Sequence, residues 1–574
     1  MKENTNAAPL SLGSGPVSSR GLMVALFLGA LPALAAWFLD EKALQPRDLA
    51  VAAAILAMAV VYLLRKVPSV VERIPASVAA LIAVVPVLVV MFSLAGPVTN
   101  DERAVLLQAE IIAEGHLSEP LVTVESAAGA NAGDHAGSTS SAASLADAFR
   151  RRQLFEDVQA GTRFSKYAPG TSLALTPAIW FGQPMLATLC AALLSLRLIF
   201  LIARALGLAS PATASLLLAT SPFFLLVHTS MQSEVFTAPA VLLGYLAFLR
   251  ARAGNPKWAL ILGLAAGWVF ITRPLTGLVF ALVAGLLLAA HRDRLKTVPL
   301  AIVGGLPLLA LALWWNHHFT GSATTSVYEL YAKAFGPFFP GPERLPQDVY
   351  GNGDFFGGLL RQSGRWAVAF GGMLGAIGLA LWGALRLRQR DGGLVFLFAL
   401  LLPAAYSLHW YAGHRAYLGP LYLFETLGLL LCGLLFLLEQ APAKWRNGLL
   451  LAMVSFGGVA FAFRWQLIVE ESQLRSAPQR AVAEILGEET NAVIFLPKKY
   501  QGSRERGFKY WTPSRPQDLH AGGAVILRTT RELTPARLVA ELGLEGRPLF
   551  QFQADVNGTV NGSLVPLELT APSR

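Results

Sequence analysis

Apolar stretches recur along most of residues 21–463, separated by polar connections. Many approach the ~20 residues that an α-helix needs to cross a bilayer. They predict about thirteen spanning helices, at 21–39, 48–64, 76–95, 183–205, 209–226, 232–250, 257–272, 275–290, 298–316, 366–385, 394–410, 419–438 and 447–463. Two connections are long, 96–182 and 317–365. The first 20 residues are polar and rich in Ser, Gly and Pro, and read as a cytoplasmic tail. From Arg464 onward the apolar runs shorten. Ala492–Leu496, Ala524–Leu527, Pro548–Gln553 and Leu564–Leu569 read as strands, and Pro478–Leu486 and Pro535–Leu542 as helices. The predicted fold is therefore an α-helical polytopic membrane domain over 21–463, followed by a small extracytoplasmic α/β domain over 464–574.

Composition agrees with this division. Hydrophobic residues make up 54% of the chain and charged residues 14%, against roughly 25% charged in a soluble domain. The net charge of +10 would suit a nucleic-acid partner, but its distribution argues for a membrane. Basic residues fall in alternate connections: Arg65, Lys66 and Arg73; Arg250, Arg252 and Lys257; Arg292, Arg294 and Lys296; Arg386, Arg388 and Arg390; Lys444 and Arg446. Cytoplasmic loops carry such an excess. The N-terminus is then inside, while the C-terminus and both long connections are outside. No nucleic-acid motif is present, and membrane lipid is the expected anionic partner. The first apolar run leads into further apolar runs, which argues against a cleaved signal peptide. Cys190 and Cys432 lie inside apolar segments and suggest neither a disulfide framework nor a metal site.

This orientation gathers polar residues at the outer helix ends. Asp101 and Glu102 follow the third span. Thr99 and Glu102 have the spacing of a capping box, and acids suit a first helical turn. A cap needs one acid and here there are two, so Asp101 remains open as a proton acceptor. Lys166, before Tyr167 in Phe164-Ser165-Lys166-Tyr167-Ala168-Pro169-Gly170, fits either a phosphate contact or a snorkelling lysine beside a belt tyrosine. Arg273, before Pro274, fits a second phosphate contact or a helix-end anchor. Glu234 opens a helix from the outside. His414 and Arg415 form a basic outer turn suited to an anion. His317 and His318 make a poor metal pair, because adjacent helical residues point about 100° apart. The Ala-, Gly- and Ser-rich tract 125–148 reads as a linker, the stretch 149–155 as a short interfacial helix, and 171–181 as an apolar segment too short to span.

These patterns, in this order, resemble the GT-C superfamily of membrane glycosyltransferases that use polyprenyl-phosphate-linked sugars. The chain is similar to protein O-mannosyltransferases and lipid A aminoarabinose transferases. The likeness rests on Asp101-Glu102 with Leu107-Gln108-Ala109 and Ala113-Glu114-Gly115 after it; on Lys166-Tyr167-Ala168-Pro169-Gly170; on Arg273-Pro274; on Asn316 with Thr320-Gly321-Ser322; and on Gly419-Pro420 with Leu421-Tyr422-Leu423-Phe424-Glu425. Ala168 stands where the family usually has Pro. Leu421 stands where bacterial relatives often have Arg, a charge that Arg415 would have to replace.

The resemblance implies an inverting hexosyl- or pentosyltransferase of a bacterial inner membrane, with its active site facing the periplasm or exterior. Asp101 would be the general base, with Glu102 beside it. Lys166, Tyr167, Glu234, Arg273, His414 and Arg415 would line the substrate site. The donor would be a polyprenyl-phosphate sugar and the acceptor a lipid, glycan or protein of the envelope. Some relatives hold a divalent cation near the acids; no metal ligand or other cofactor is assigned here. The competing reading is a multi-pass transporter or lipid flippase with Asp101 and Glu234 as ion or proton sites. Transporters place such groups near the bilayer midplane, and here they lie at the outer edge.

Overall fold

The structure is a computed structural model that describes residues 17–26, 74–93, 99–120, 154–157, 161–290, 295–330, 359, 376–387, 393–407, 414–415, 419–486, 491–496, 523–529, 534–554 and 562–568. The tract 125–148 and the predicted span 48–64 lie outside these residues, as does most of the span 21–39.

Helices dominate. In chain order they are α1 (Ala76–Ser93), α2 (Asn100–Ala113), α3 (Gly170–Ile179), α4 (Met185–Ala205), α5 (Pro211–Thr220), α6 (Pro222–His228), α7 (Ser233–Arg252), α8 (Lys257–Thr272), α9 (Pro274–Ala289), α10 (Thr297–Thr320), α11 (Ala376–Leu387), α12 (Gly393–Ser407), α13 (Thr426–Glu439), α14 (Ala443–Ile485) and α15 (Pro535–Glu541). Among the described residues four helices, α4, α7, α10 and the first part of α14, are long and apolar enough to cross a membrane. The pair α5 and α6 makes a fifth if it counts as one broken span. Shorter apolar helices accompany them, among them α8, α9, α11, α12 and α13.

Where the apolar side chains point fits a lipid surround. On α9, Leu278, Leu282 and Leu286 are exposed while Phe280, Val283 and Ala284 are buried. On α10, Ile302, Val303, Leu306, Leu309 and Leu313 are all exposed. A soluble monomer rarely exposes so broad an apolar surface. By contrast, every residue of α13 from Thr426 to Leu438 is buried, as expected of a helix apolar all round and surrounded by others. Small residues let backbones meet there: a Cβ on Gly383 of α11 would run into the carbonyl of Gly433 on α13.

The predicted span 209–226 is not one straight helix. It breaks between Thr220 and Pro222, with a bend of 66°. Pro222 forces the preceding Ser221 out of the helical region, to φ −66° and ψ 120°. The new helix then runs on to His228.

The first long connection forms a small sheet of β1 (Glu119–Pro120), β2 (Leu154–Asp157) and β3 (Thr162–Ser165), in the order β1-β3-β2, with both pairings antiparallel. This corrects the interfacial helix expected over 149–155. Leu154 and Phe155 are strand residues paired with Ser165 and Phe164, and Leu154 is buried against Ala104, Leu107 and Ile111 of α2. Residues 149–153 lie outside the described segments. Phe164 of β3 packs with Trp315 near the end of α10 and with Val327 just after it, so the later part of the first long connection meets the start of the second.

Helix α14 is a single helix of 43 residues. Its far end packs Ala477 and Ala481 against one face of a four-stranded sheet, through Ile494, Leu496, Ile526, Phe552 and Leu564. The strands β6 (Val493–Leu496), β7 (Val525–Arg528), β8 (Leu549–Ala554) and β9 (Gly562–Pro566) take the order β7-β6-β8-β9. The first three are parallel and β9 is antiparallel to β8. Helix α15 covers the other face with Leu538, Val539 and Leu542.

Candidate active site

The site begins at the N-terminus of α2. Thr99 Oγ1 accepts from the Glu102 backbone N–H at 3.1 Å, and the Glu102 carboxylate accepts from the Thr99 N–H at 3.1 Å, forming the capping box. The same carboxylate accepts from the Met231 N–H at 3.2 Å and from Gln232 Nε2 at 3.3 Å. Gln232 Nε2 also donates to Thr99 Oγ1 at 2.6 Å. Glu102 is only 1% exposed. It ties the start of α2 to the turn before α7. Asp101, one residue earlier and half-buried, accepts a hydrogen bond from the Tyr167 hydroxyl at 2.7 Å.

Tyr167 reaches Asp101 because the segment between β3 and α3 is held at several points. Gln108 of α2 accepts from the Ser165 N–H at 2.8 Å and donates to the Leu117 carbonyl at 2.7 Å. A buried ion pair joins Arg163 to Glu119 across β1 and β3. Gly170 lies against the end of α8, where an added Cβ would come within 2.8 Å of the Thr272 Cα. A glycine there lets the start of α3 close against the end of α8, one residue before Arg273. Lys166 is 5% exposed. Its Nζ lies 5.0 Å from the Tyr167 ring centroid and 4.8 Å from that of Tyr328, within range of cation–π attraction.

Burial, together with the Asp101 carboxylate, pushes ionisation of Tyr167 well above the usual tyrosine range. The phenol therefore keeps its proton and stays a donor. Tyr167→Phe is expected to lower kcat about tenfold to a hundredfold, the worth of a hydrogen bond to a charged group, with little change in KM for the donor. Steady-state transfer kinetics check it; a change confined to KM would show that Tyr167 binds substrate rather than orienting Asp101.

A second cluster adjoins the first. Arg273 sits at the junction of α8 and α9, where Pro274 takes the first helical position. Its guanidinium pairs with Glu234 and, at 3.2 Å, with Glu425. It also donates to the Tyr406 hydroxyl at 3.0 Å and lies over the rings of Tyr406 and Tyr422 at 5.4 and 4.9 Å. Thr237 donates to Glu425 at 2.7 Å, and Thr276 Oγ1 lies 2.8 Å from the Tyr406 hydroxyl. Burial works against the Arg273 charge, but Glu234 and Glu425 more than offset it. Tyr422 links the clusters: it packs on Arg273 and lies close enough to Tyr167 to bear on its ionisation.

Of the residues read from sequence, the structure thus joins Asp101, Lys166 and Tyr167 directly. It pairs Glu234 with Arg273 beside them and puts Glu102 under the helix start. His414 and Arg415 fall on a short strand, β4 (His414–Arg415), paired with β5 (Gly419–Pro420) just ahead of Tyr422. Missed as site residues were Glu425, Tyr328, Tyr406, Tyr422 and Gln232. Glu425 and Tyr422 stood in a quoted motif, and an acid entering an apolar run was the available signal.

Among the described residues no group of three or more His, Cys, Asp and Glu could hold a metal ion. The Glu102 oxygens already face three N–H donors.

Residues 181–315 match the family model for dolichyl-phosphate-mannose-protein mannosyltransferases. The match includes Glu234 and Arg273 and begins downstream of Asp101 and Lys166. Two solved structures are also similar. ArnT from Cupriavidus metallidurans bound to undecaprenyl phosphate has 14% identity, over 83% of this chain and 92% of that one, with a TM-score of 0.47. ArnT from the same organism in the apo state has 15% identity, over 83% and 91%, with a TM-score of 0.47. No curated protein matches the chain.

Proposed function

We propose that the chain is an inverting glycosyltransferase that moves a sugar from a polyprenyl-phosphate donor to an envelope acceptor at the outer face of the membrane. The observation that carries this reading is the junction at Tyr167, whose hydroxyl holds Asp101 and whose ring flanks the Lys166 ammonium. A proton acceptor and a phosphate-seeking cation thus sit together. The alternation of basic connections supports an outer location.

In the proposed reaction Asp101 takes the proton of the acceptor nucleophile. The nucleophile's electron pair forms the new bond to the anomeric carbon. The bond from that carbon to the phosphate oxygen breaks on the opposite face, and polyprenyl phosphate leaves with the bonding electrons. Lys166 offsets the charge that collects on the leaving phosphate, in a setting where fixed charge acts strongly. Tyr167 orients the base. Arg273, shared by two carboxylates, acts first as the tie that holds α7, α9 and the entry to α13 around the site.

The test is transfer of labelled sugar from a polyprenyl-phosphate donor by the purified full-length protein in lipid nanodiscs, with mass spectrometry of the product. Transfer with inverted anomeric configuration is the expected result. Substrate movement across a sealed vesicle with no transfer would sink the reading.

A further inference from the structure

Helices α2 and α3 run side by side in the same direction. Ser172 Oγ donates to the Val105 carbonyl at 2.9 Å, Thr176 Oγ1 to that of Ala109 at 3.5 Å, and Trp180 Nε1 to that of Ala113 at 3.3 Å. The near ends of the pair carry the site: Asp101 opens α2, and Lys166–Tyr167 lead into α3. The far end carries Trp180 and Phe181.

These two residues are 68% and 75% exposed, the most exposed large hydrophobics among the described residues. They do not sit on a loose loop. Helix α3 ends in a hydrogen-bonded turn, with Gly182 N–H donating to the Ile179 carbonyl at 2.8 Å and Gln183 N–H to that of Ala178 at 3.1 Å. Gly182 has φ +68°, the left-handed conformation that closes such turns. The indole N–H is taken up by Ala113, so the apolar rings are what the turn presents. Three residues after Gly182 begins α4, which is long and apolar enough to cross a membrane and carries its own exposed Leu193 and Leu194. The turn therefore lies at the level where a spanning helix begins. Tryptophan and other amphipathic rings settle at that level.

We propose that Trp180 and Phe181 are an aromatic anchor inserted into the outer-leaflet interface of the bilayer, fixing the far end of the helix pair whose near end carries Asp101 and Lys166. The anchor would set the depth of the site against the plane in which a lipid-borne phosphate lies. It rests on the outer-face reading above, not on the transfer reaction.

The experiment uses full-length protein in phosphatidylcholine nanodiscs, with lipids brominated either near the headgroup or near the chain terminus. Tryptophan emission of the wild type and of Trp180→Phe is compared without substrate. The expected result is a component quenched most by the shallow label and lost in Trp180→Phe. Moving the indole by one residue, in Trp180→Phe with Phe181→Trp, should restore that component, which guards against a misfolded variant. An unchanged quenching profile in Trp180→Phe would overturn the anchor, and so would a component quenched by the deep label alone. If lipid does not quench Trp180 while Phe181→Ser raises KM for the acceptor, the patch is an acceptor contact and the anchor is wrong. Quenching is read without turnover, so a chain that transfers no sugar still answers the question.

Discussion

Asp101→Asn is expected to lower kcat for sugar transfer by about 10²- to 10⁴-fold, the usual worth of a positioned general base. Asparagine keeps the shape of the side chain and can keep an oxygen toward the Tyr167 hydroxyl, now 2.7 Å from Asp101. What it loses is the capacity to take a proton. Fold and donor binding should therefore survive, as read by thermal unfolding and by donor KM. The neighbouring acid gives the contrast. Glu102 is buried and accepts from two backbone N–H groups as well as Gln232. Glutamine there offers one acceptor oxygen and turns an amide donor toward groups that also donate. Glu102→Gln should cost about 1–3 kcal/mol of stability, the penalty for unsatisfied buried polar groups. Its activity should fall only as far as the folded fraction falls. If Asp101→Asn retains transfer within tenfold of wild type, Asp101 is not the base. If Glu102→Gln loses turnover while fully folded, the roles of the two acids must be exchanged.

That contrast separates what the sequence could reveal from what it could not. The capping box was legible because it is local: Thr99 and Glu102 stand three residues apart, and their types name the motif. Lys166–Tyr167 was legible as a motif, but the bond from Tyr167 to Asp101 joins residues 66 apart in the chain. No periodicity encodes that. The apolar run 209–226 reads as one span because hydropathy is insensitive to direction. Pro222 carried the signal of the break, and only the backbone shows the 66° bend. At Leu154 and Phe155 the mixture of basic and apolar residues favours an amphipathic helix, yet pairing with β3 decides for a strand. Local preference yields there to tertiary pairing. Glu425 is the sharpest case. Its letter was visible within the motif, but its meaning depends on Arg273 and Thr237 arriving from two other helices.

Arg273→Met should destabilise the protein by about 3–5 kcal/mol, because removing one partner of a buried ionic group leaves the others uncompensated. Here two carboxylates, Glu234 and Glu425, lose the cation they share, in side chains that are 3% and 0% exposed. Tyr406 loses a donor as well. The large effect comes from the orphaned acids rather than from the intrinsic worth of the ion pairs, since replacing a whole buried ionic cluster with matched neutral groups is often close to neutral. Adding Glu234→Gln and Glu425→Gln to Arg273→Met should therefore restore most of the lost stability, measured by thermal unfolding in the same lipid. The restored variant then tests the phosphate-contact reading of Arg273 directly. If Arg273 serves only as a tie, donor KM recovers along with stability. If stability returns but donor KM stays raised, Arg273 also meets the phosphate, and the two carboxylates are the holders that keep it in place. If Arg273→Met by itself leaves the unfolding temperature unchanged, the cluster is not the structural tie between the helices around the site.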